Sequence, residues 1–276
     1  MLNVPPDQSL VDMARRRRPE RDGRVGTAHV NPRDAYRDVP LLVPPTWNHE
    51  VAAYFYFGGI SSGAATVGAL AVLLGGERLR TVAERSTIVA FAAMLACPPL
   101  LIDDLGMPSR FHHMLRIFKP SSPMNLGAWT LTVHGGIATL LALRQLALWG
   151  KIPLVGPLLR KLPVQPLSAV GIVPALALGG YTGVLLGTTS IPVWSTSPVL
   201  GGLFMASSLA TGTAAVSLAC AVIGDGASVG EALSPLNAVL GMADLALLGS
   251  YVATSGSATK TLLRGKARLL LAGAAA

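Results

Sequence analysis

Six stretches of predominantly apolar residues decide what this chain can fold into. They run from Glu50 to Gly75, Thr87 to Leu105, Leu126 to Leu148, Pro166 to Thr188, Pro198 to Ile223 and Pro235 to Ser255. A helix rises about 1.5 Å per residue, so about 20 such residues match the hydrocarbon thickness of a bilayer. The stretches predict an all-α, polytopic transmembrane helix bundle of about six spans. Composition agrees: 51% of the 276 residues are hydrophobic and only 13% are charged, too few polar side chains to coat a soluble globule of this size. The 30 glycines suit spans that approach one another closely. Gly59 and Gly63, then Gly179, Gly183 and Gly187, have the required spacing.

The net charge of +8 is better explained by topology than by nucleic acid, because the basic residues lie in the first forty positions and in loops with few aromatics between them. Fifteen Lys and Arg fall on the side that holds the N-terminus and seven on the other, which predicts a cytoplasmic N-terminus in a multi-pass protein of the cell (inner) membrane. Residues 1–46 read as a flexible basic tail without a hydrophobic signal segment. Residues 47–190 read as a first four-helix bundle, and residues 191–276 as part of a second bundle with a basic C-terminal end. Only Cys97 and Cys220 are present, so no cysteine-ligated iron–sulfur site can be built from this chain. His134 is the one histidine at membrane depth, which disfavours a haem with two histidine ligands.

A pattern shared by spans one and five reads either as an internal repeat or as a chance likeness between two Gly/Ser-rich helices. Phe55, Gly58, Gly59, Ile60, Ser61, Gly63 and Val67 recur as Phe204, Ser207, Ser208, Leu209, Ala210, Gly212 and Val216. Read as a repeat, equivalent positions are offset by four spans, an even number, so the two halves are expected to share one orientation.

Ionisable groups inside spans are costly and therefore informative. Alternating the direction of the spans brings Glu50 and Tyr54, one helical turn apart on span one, to the same membrane face as Asp103 and Asp104 at the end of span two. The following loop, with Arg110, His112, His113, Arg116 and Lys119, lies at that face, as does Tyr181 in the last third of span four. Singly, each has an ordinary reading as a headgroup-level carboxylate, a topology signal or an aromatic-belt residue. Together they define a candidate site. Deeper in, His134 and Asp244 are candidates for a proton relay, or for polar residues that satisfy one another.

The segments GGISSGAA (58–65), LLIDDLGMPSRFHHMLRIFKPSSPMNLGAW (100–129) and GGYTGVLL (179–186) resemble the NrfD / polysulfide reductase membrane-subunit family over about Trp47 to Gly212. The resemblance implies a quinone-binding membrane anchor, using menaquinone or ubiquinone, for an iron–sulfur ferredoxin-like subunit and a molybdopterin oxidoreductase subunit. By motif match it places Glu50, Tyr54, Asp103 or Asp104, and Tyr181 at the quinone headgroup; His112 of the loop is a further candidate to hydrogen-bond that headgroup, and Arg110, Arg116 and Lys119 are candidates to dock the partner. Family members generally have eight or more spans, and many present the quinone end outside the cell. Both points contrast with the six spans and inward charge bias read here. Other readings are a small-solute or ion transporter coupled through Asp244 and His134, and a structural anchor with no active quinone site.

Overall fold

The computed structural model describes residues 49–189, 191–224 and 226–256, except for the side chains of residues 227 and 228. The N-terminal tail, Trp47 and the basic C-terminal end lie outside the described residues. Six long helices form the structure: α1 (His49–Leu74), α2 (Arg80–Asp104), α3 (Pro123–Leu148), α4 (Val164–Gly187), α5 (Leu200–Ile223) and α6 (Gly226–Thr254). Among the described residues six helical segments are long and apolar enough to cross a membrane, and there is no strand. The chain is a multi-pass helical membrane protein. Helices are the form that a lipid environment permits here, since each satisfies its own backbone hydrogen bonds.

Two helices begin earlier than hydropathy predicts. α2 starts at Arg80, seven residues before Thr87, because its first turns are charged yet helical. Arg80 Nε donates to Glu84 Oε1 at 3.0 Å, an i,i+4 pair, and the Arg85 guanidinium stands 5.3 Å from the centroid of Trp149. α6 starts at Gly226, so Pro235 lies inside it. Gly224, in the left-handed region at φ 98°, ends α5, a conformation that glycine adopts without steric cost.

Packing follows the small residues. α1 packs against α2, α4 and α5; α2 packs on α3, α3 on α4, α4 on α5, and α5 on α6. More than half of the α1 span is buried (56%), against 6% for α6. At the α1–α5 crossing, a Cβ on Gly63 would overlap the Ser208 carbonyl, and one on Gly212 would stand 2.6 Å from the Gly63 Cα. Ser208 also faces α4, where a Cβ on Gly179 would stand 2.6 Å from Ser62 Oγ and 3.2 Å from Ser208 Oγ. Backbones this close gain dispersion contacts that lipid tails cannot match.

The repeated positions face one another across this crossing. Phe55 meets Phe204 edge-on with ring centroids 6.5 Å apart, Gly63 meets Gly212, and Val67 and Val216 share one buried cluster. α1 and α5 therefore meet through equivalent surfaces.

Candidate functional site

Hydrogen bonds between helix ends fix which groups share a membrane face. Tyr181 of α4 donates to the Pro123 carbonyl at the start of α3 (2.8 Å). Tyr251 of α6 donates to the Val193 carbonyl just before α5 (2.5 Å), and Ser197 Oγ lies 3.1 Å from Thr254 Oγ1. This face also holds the start of α1 and the end of α2.

Tyr54 is the innermost of the predicted site residues on α1. Only 3% exposed, it packs with Met94 and Cys97 of α2, Leu131 of α3 and Leu178 of α4. This floor is filled by side chains. Glu50, one turn closer to the membrane face, has Oε2 buried without a hydrogen-bond partner among the described residues. Asp104, two turns beyond Cys97 on α2, has Oδ1 in the same condition, as does Trp129 Nε1 on α3. Asp103 is exposed. The structure thus brings Glu50, Tyr54 and Asp104 to one end of the α1–α2 seam, and turns Asp103 toward solvent or headgroups.

Tyr181 is placed differently from a free ligand. Its ring lies on the backbone of α3, where a Cβ on Gly127 would overlap ring and hydroxyl alike. Because its proton goes to Pro123, the phenol oxygen keeps lone pairs with which to accept, but has no second proton to donate. Gly127 is the signal for this arrangement, since only a residue without a side chain lets an aromatic ring settle on a helix axis.

The loop between α2 and α3 folds into a 3₁₀ segment, Pro108–Leu115. Arg110, His112, His113, Arg116 and Lys119 are exposed on it, and the His112 and His113 rings meet edge-on at 4.5 Å. Met107, Phe111, Ile117 and Phe118 are exposed among them, so the loop presents an amphipathic surface. Asn125 holds it in shape. Its Nδ2 donates to the Met114 and Ile117 carbonyls (2.7 and 3.0 Å), and its Oδ1 accepts from the Lys119 amide (2.7 Å). The sequence pattern does not single out Asn125. An asparagine just inside a helix N-terminus after a long polar loop, where it can bind local backbone groups, is the signal that could have found it.

His134 and Asp244 lie in separate surroundings. His134, on α3, is 2% exposed and has Nε2 2.8 Å from Ser61 Oγ of α1. Asp244, on α6, lies near Ser207 of α5, and its Oδ1 is buried without a partner among the described residues. Nothing in the spacing of Ser61 and His134 foretells their pairing. A cavity of about 330 Å³ lies elsewhere, at the opposite face, against Leu74, Gly75, Arg78, Leu79 and Ala232. Among the described residues no group of three or more His, Cys, Asp or Glu could hold a metal ion.

Fold and site together define a polytopic helical membrane protein with buried, partly unsatisfied carboxylates at one face, beside a basic, amphipathic loop. The family is given by comparison with known proteins: residues 41–249 match the model described as Polysulphide reductase, NrfD, and the chain belongs to the NrfD family. It is similar to the C subunit of polysulfide reductase from Wolinella succinogenes, 28% identical over 60% of this chain and 55% of that protein. It is similar to protein NrfD of Escherichia coli, 29% identical over 64% of this chain and 60% of that one. With the NrfD homolog of Haemophilus influenzae the identity is 26%, over 67% and 63%. The matched region spans about 55–63% of the length of these relatives.

Proposed function

We propose that this chain is the membrane-anchor subunit of a respiratory oxidoreductase complex, and that it binds a quinone or quinol, menaquinone or ubiquinone, at the α1–α2 end near the loop. The observation that carries the reading is the pair of orphaned, buried carboxylate oxygens, Glu50 Oε2 and Asp104 Oδ1, above the apolar floor around Tyr54. A buried acceptor without a partner costs about 1–3 kcal/mol, and a hydroxyl-bearing headgroup would remove that cost at both. The residues therefore fit a quinol.

A bound quinol supplies two electrons and two protons on oxidation to quinone. Glu50 or Asp104 takes up the two quinol protons in turn, since Glu50 is one turn from Tyr54 on α1, Asp104 is two turns from Cys97, which packs on Tyr54, and both reach the membrane face. Tyr181 serves as an acceptor, its own proton being held by Pro123. Arg110, Arg116 and Lys119, with His112 beside them, offer cations and apolar side chains to an acidic, ferredoxin-like iron–sulfur subunit, which takes the electrons and hands them to a molybdopterin oxidoreductase subunit. The loop's fixed shape, set by Asn125, suits a docking surface. The N-terminus is assigned to the cytoplasm on charge bias.

The test is quinol oxidation by the purified complex carrying Glu50→Gln, Asp104→Asn or Tyr181→Phe. Loss of the accepting base is expected to slow turnover by about 10²-fold, and loss of the Tyr181 hydroxyl to weaken quinol binding about fivefold, the equivalent of about 1 kcal/mol. Unchanged turnover and affinity in all three would refute the reading.

A further inference from the structure

The interior of α1, α2 and α3 holds polar groups that the quinone reading leaves unused. Ser61 and Ser86 are fully buried, His134 is 2% exposed and Gln145 is 7% exposed. Ser61 Oγ donates to the Ala90 carbonyl at 2.9 Å. With its one proton spent there, it accepts from His134 Nε2 at 2.8 Å, which leaves Nδ1 of the imidazole as an acceptor. His134 is one turn from Leu131, which packs on Tyr54, so this pair begins where the floor of the candidate site ends.

Further groups continue in the same direction. Ser86 lies four residues from Ala90 on α2, about 6 Å along the axis, and stands against Gly68 of α1, two turns beyond Ser61. Its hydroxyl has no partner among the described residues, and neither has Gln145 Nε2. Gln145 is one turn from Trp149 on the same face of α3. Trp149 Nε1 donates to Glu84 Oε2 at 3.4 Å, and Glu84 reaches the solvent of the opposite face, where Arg80 Nε binds its other oxygen at 3.0 Å.

Polar groups that tie helices together find partners, as Ser62 of α1 does with the Ala175 carbonyl of α4 (2.6 Å). Ser86 and Gln145 do not. In a membrane-spanning bundle no lipid atom can satisfy them, whereas buried water making two or more hydrogen bonds can. We infer that Ser61, His134, Ser86 and Gln145 line a hydrated proton path from the floor beneath Tyr54 to Glu84 at the opposite membrane face. In this path His134 takes a proton at Nδ1 and releases the one at Nε2, so each proton that enters is matched by one that leaves. Ser86 and Gln145 hold the waters that carry it on. The path rests on the quinone reading only for the source of its protons.

The test needs no quinone. The full chain is reconstituted into liposomes loaded with a pH-sensitive dye, and a potassium diffusion potential is imposed with valinomycin. Wild-type vesicles are expected to take up protons faster than protein-free vesicles. Gln145→Leu and Ser86→Ala are expected to fall to the protein-free leak, while Gln145→Glu, which keeps a polar group at that depth, retains uptake. Thermal unfolding identifies any variant that fails to fold. Wild-type uptake no faster than the leak would overturn the path, as would a folded Gln145→Leu that conducts like wild type. Quinol turnover, measured separately, decides the quinone reading on its own.

Discussion

Gly127→Ala tests the geometry that links the fold to the candidate site. The added methyl would occupy the space of the Tyr181 ring, so the ring must leave the α3 backbone or α3 and α4 must separate. Overpacking of this kind costs about 1–3 kcal/mol, and the displaced hydroxyl loses its 2.8 Å bond to the Pro123 carbonyl, about 1 kcal/mol more. Alanine returns about 1 kcal/mol through its better helix propensity. The net expectation is a destabilisation of about 1–3 kcal/mol. Gly136→Ala is the control, because it lies on the same helix with nothing within 4 Å of its Cβ position, and should stabilise by up to about 1 kcal/mol. The two variants should differ by about 3 kcal/mol, or about 6–12 °C in midpoint for a domain of this size, measured by thermal unfolding in one detergent. In a Tyr181→Leu background, where the ring is gone, most of the Gly127→Ala penalty should disappear. Equal stability of the two single variants, or full additivity in the double variant, would refute the placement of Tyr181 on Gly127.

Three further outcomes follow from the same contacts. Gly63→Leu should separate α1 from α5 and lower the unfolding midpoint by several degrees, since its Cβ alone overlaps the Ser208 carbonyl and overpacking costs about 1–3 kcal/mol; the same change at Gly202, which has open space, should be tolerated. Ser61→Ala should destabilise by about 1–3 kcal/mol, because it leaves buried His134 Nε2 without its partner and removes the α1–α2 bond to the Ala90 carbonyl, as equilibrium unfolding can measure. Asn125→Ala removes the bonds that close the α2–α3 loop, and limited proteolysis should cut between Arg110 and Lys119 faster than in wild type, with the long helices intact.

Particular residues show why some features can be read in advance. Spans one, three, four and five are legible to within three residues at either end, because a long apolar run answers directly to bilayer thickness. The starts of α2 and α6 are not. Hydropathy is blind to the charged first turns around Arg80 and Glu84, and it treats Pro235 as a boundary although it lies within a helix. Direction of travel alone places Glu50, Tyr54, Asp104 and Tyr181 at one end. It cannot say that Tyr181 already spends its proton on Pro123, or that Glu50 and Asp104 retain bare oxygens. Those facts depend on rotation about helix axes, which a nearly uniform apolar circumference does not encode.

What the sequence by itself determined is the number of spans, their alternation and the face at which the polar residues gather, because these follow from length and from the cost of burying charge in lipid. Only the tertiary structure decided that α1 lies at the centre of the bundle, that Gly63 meets Gly212, that Ser61 binds His134, and that Asp244 lies on another helix with its Oδ1 unpartnered among the described residues. The physical reason is that helices in lipid are not oriented by hydrophobicity, which is the same on every side. They are oriented by close packing at small residues and by the few hydrogen bonds between them, and both exist only once the helices have met.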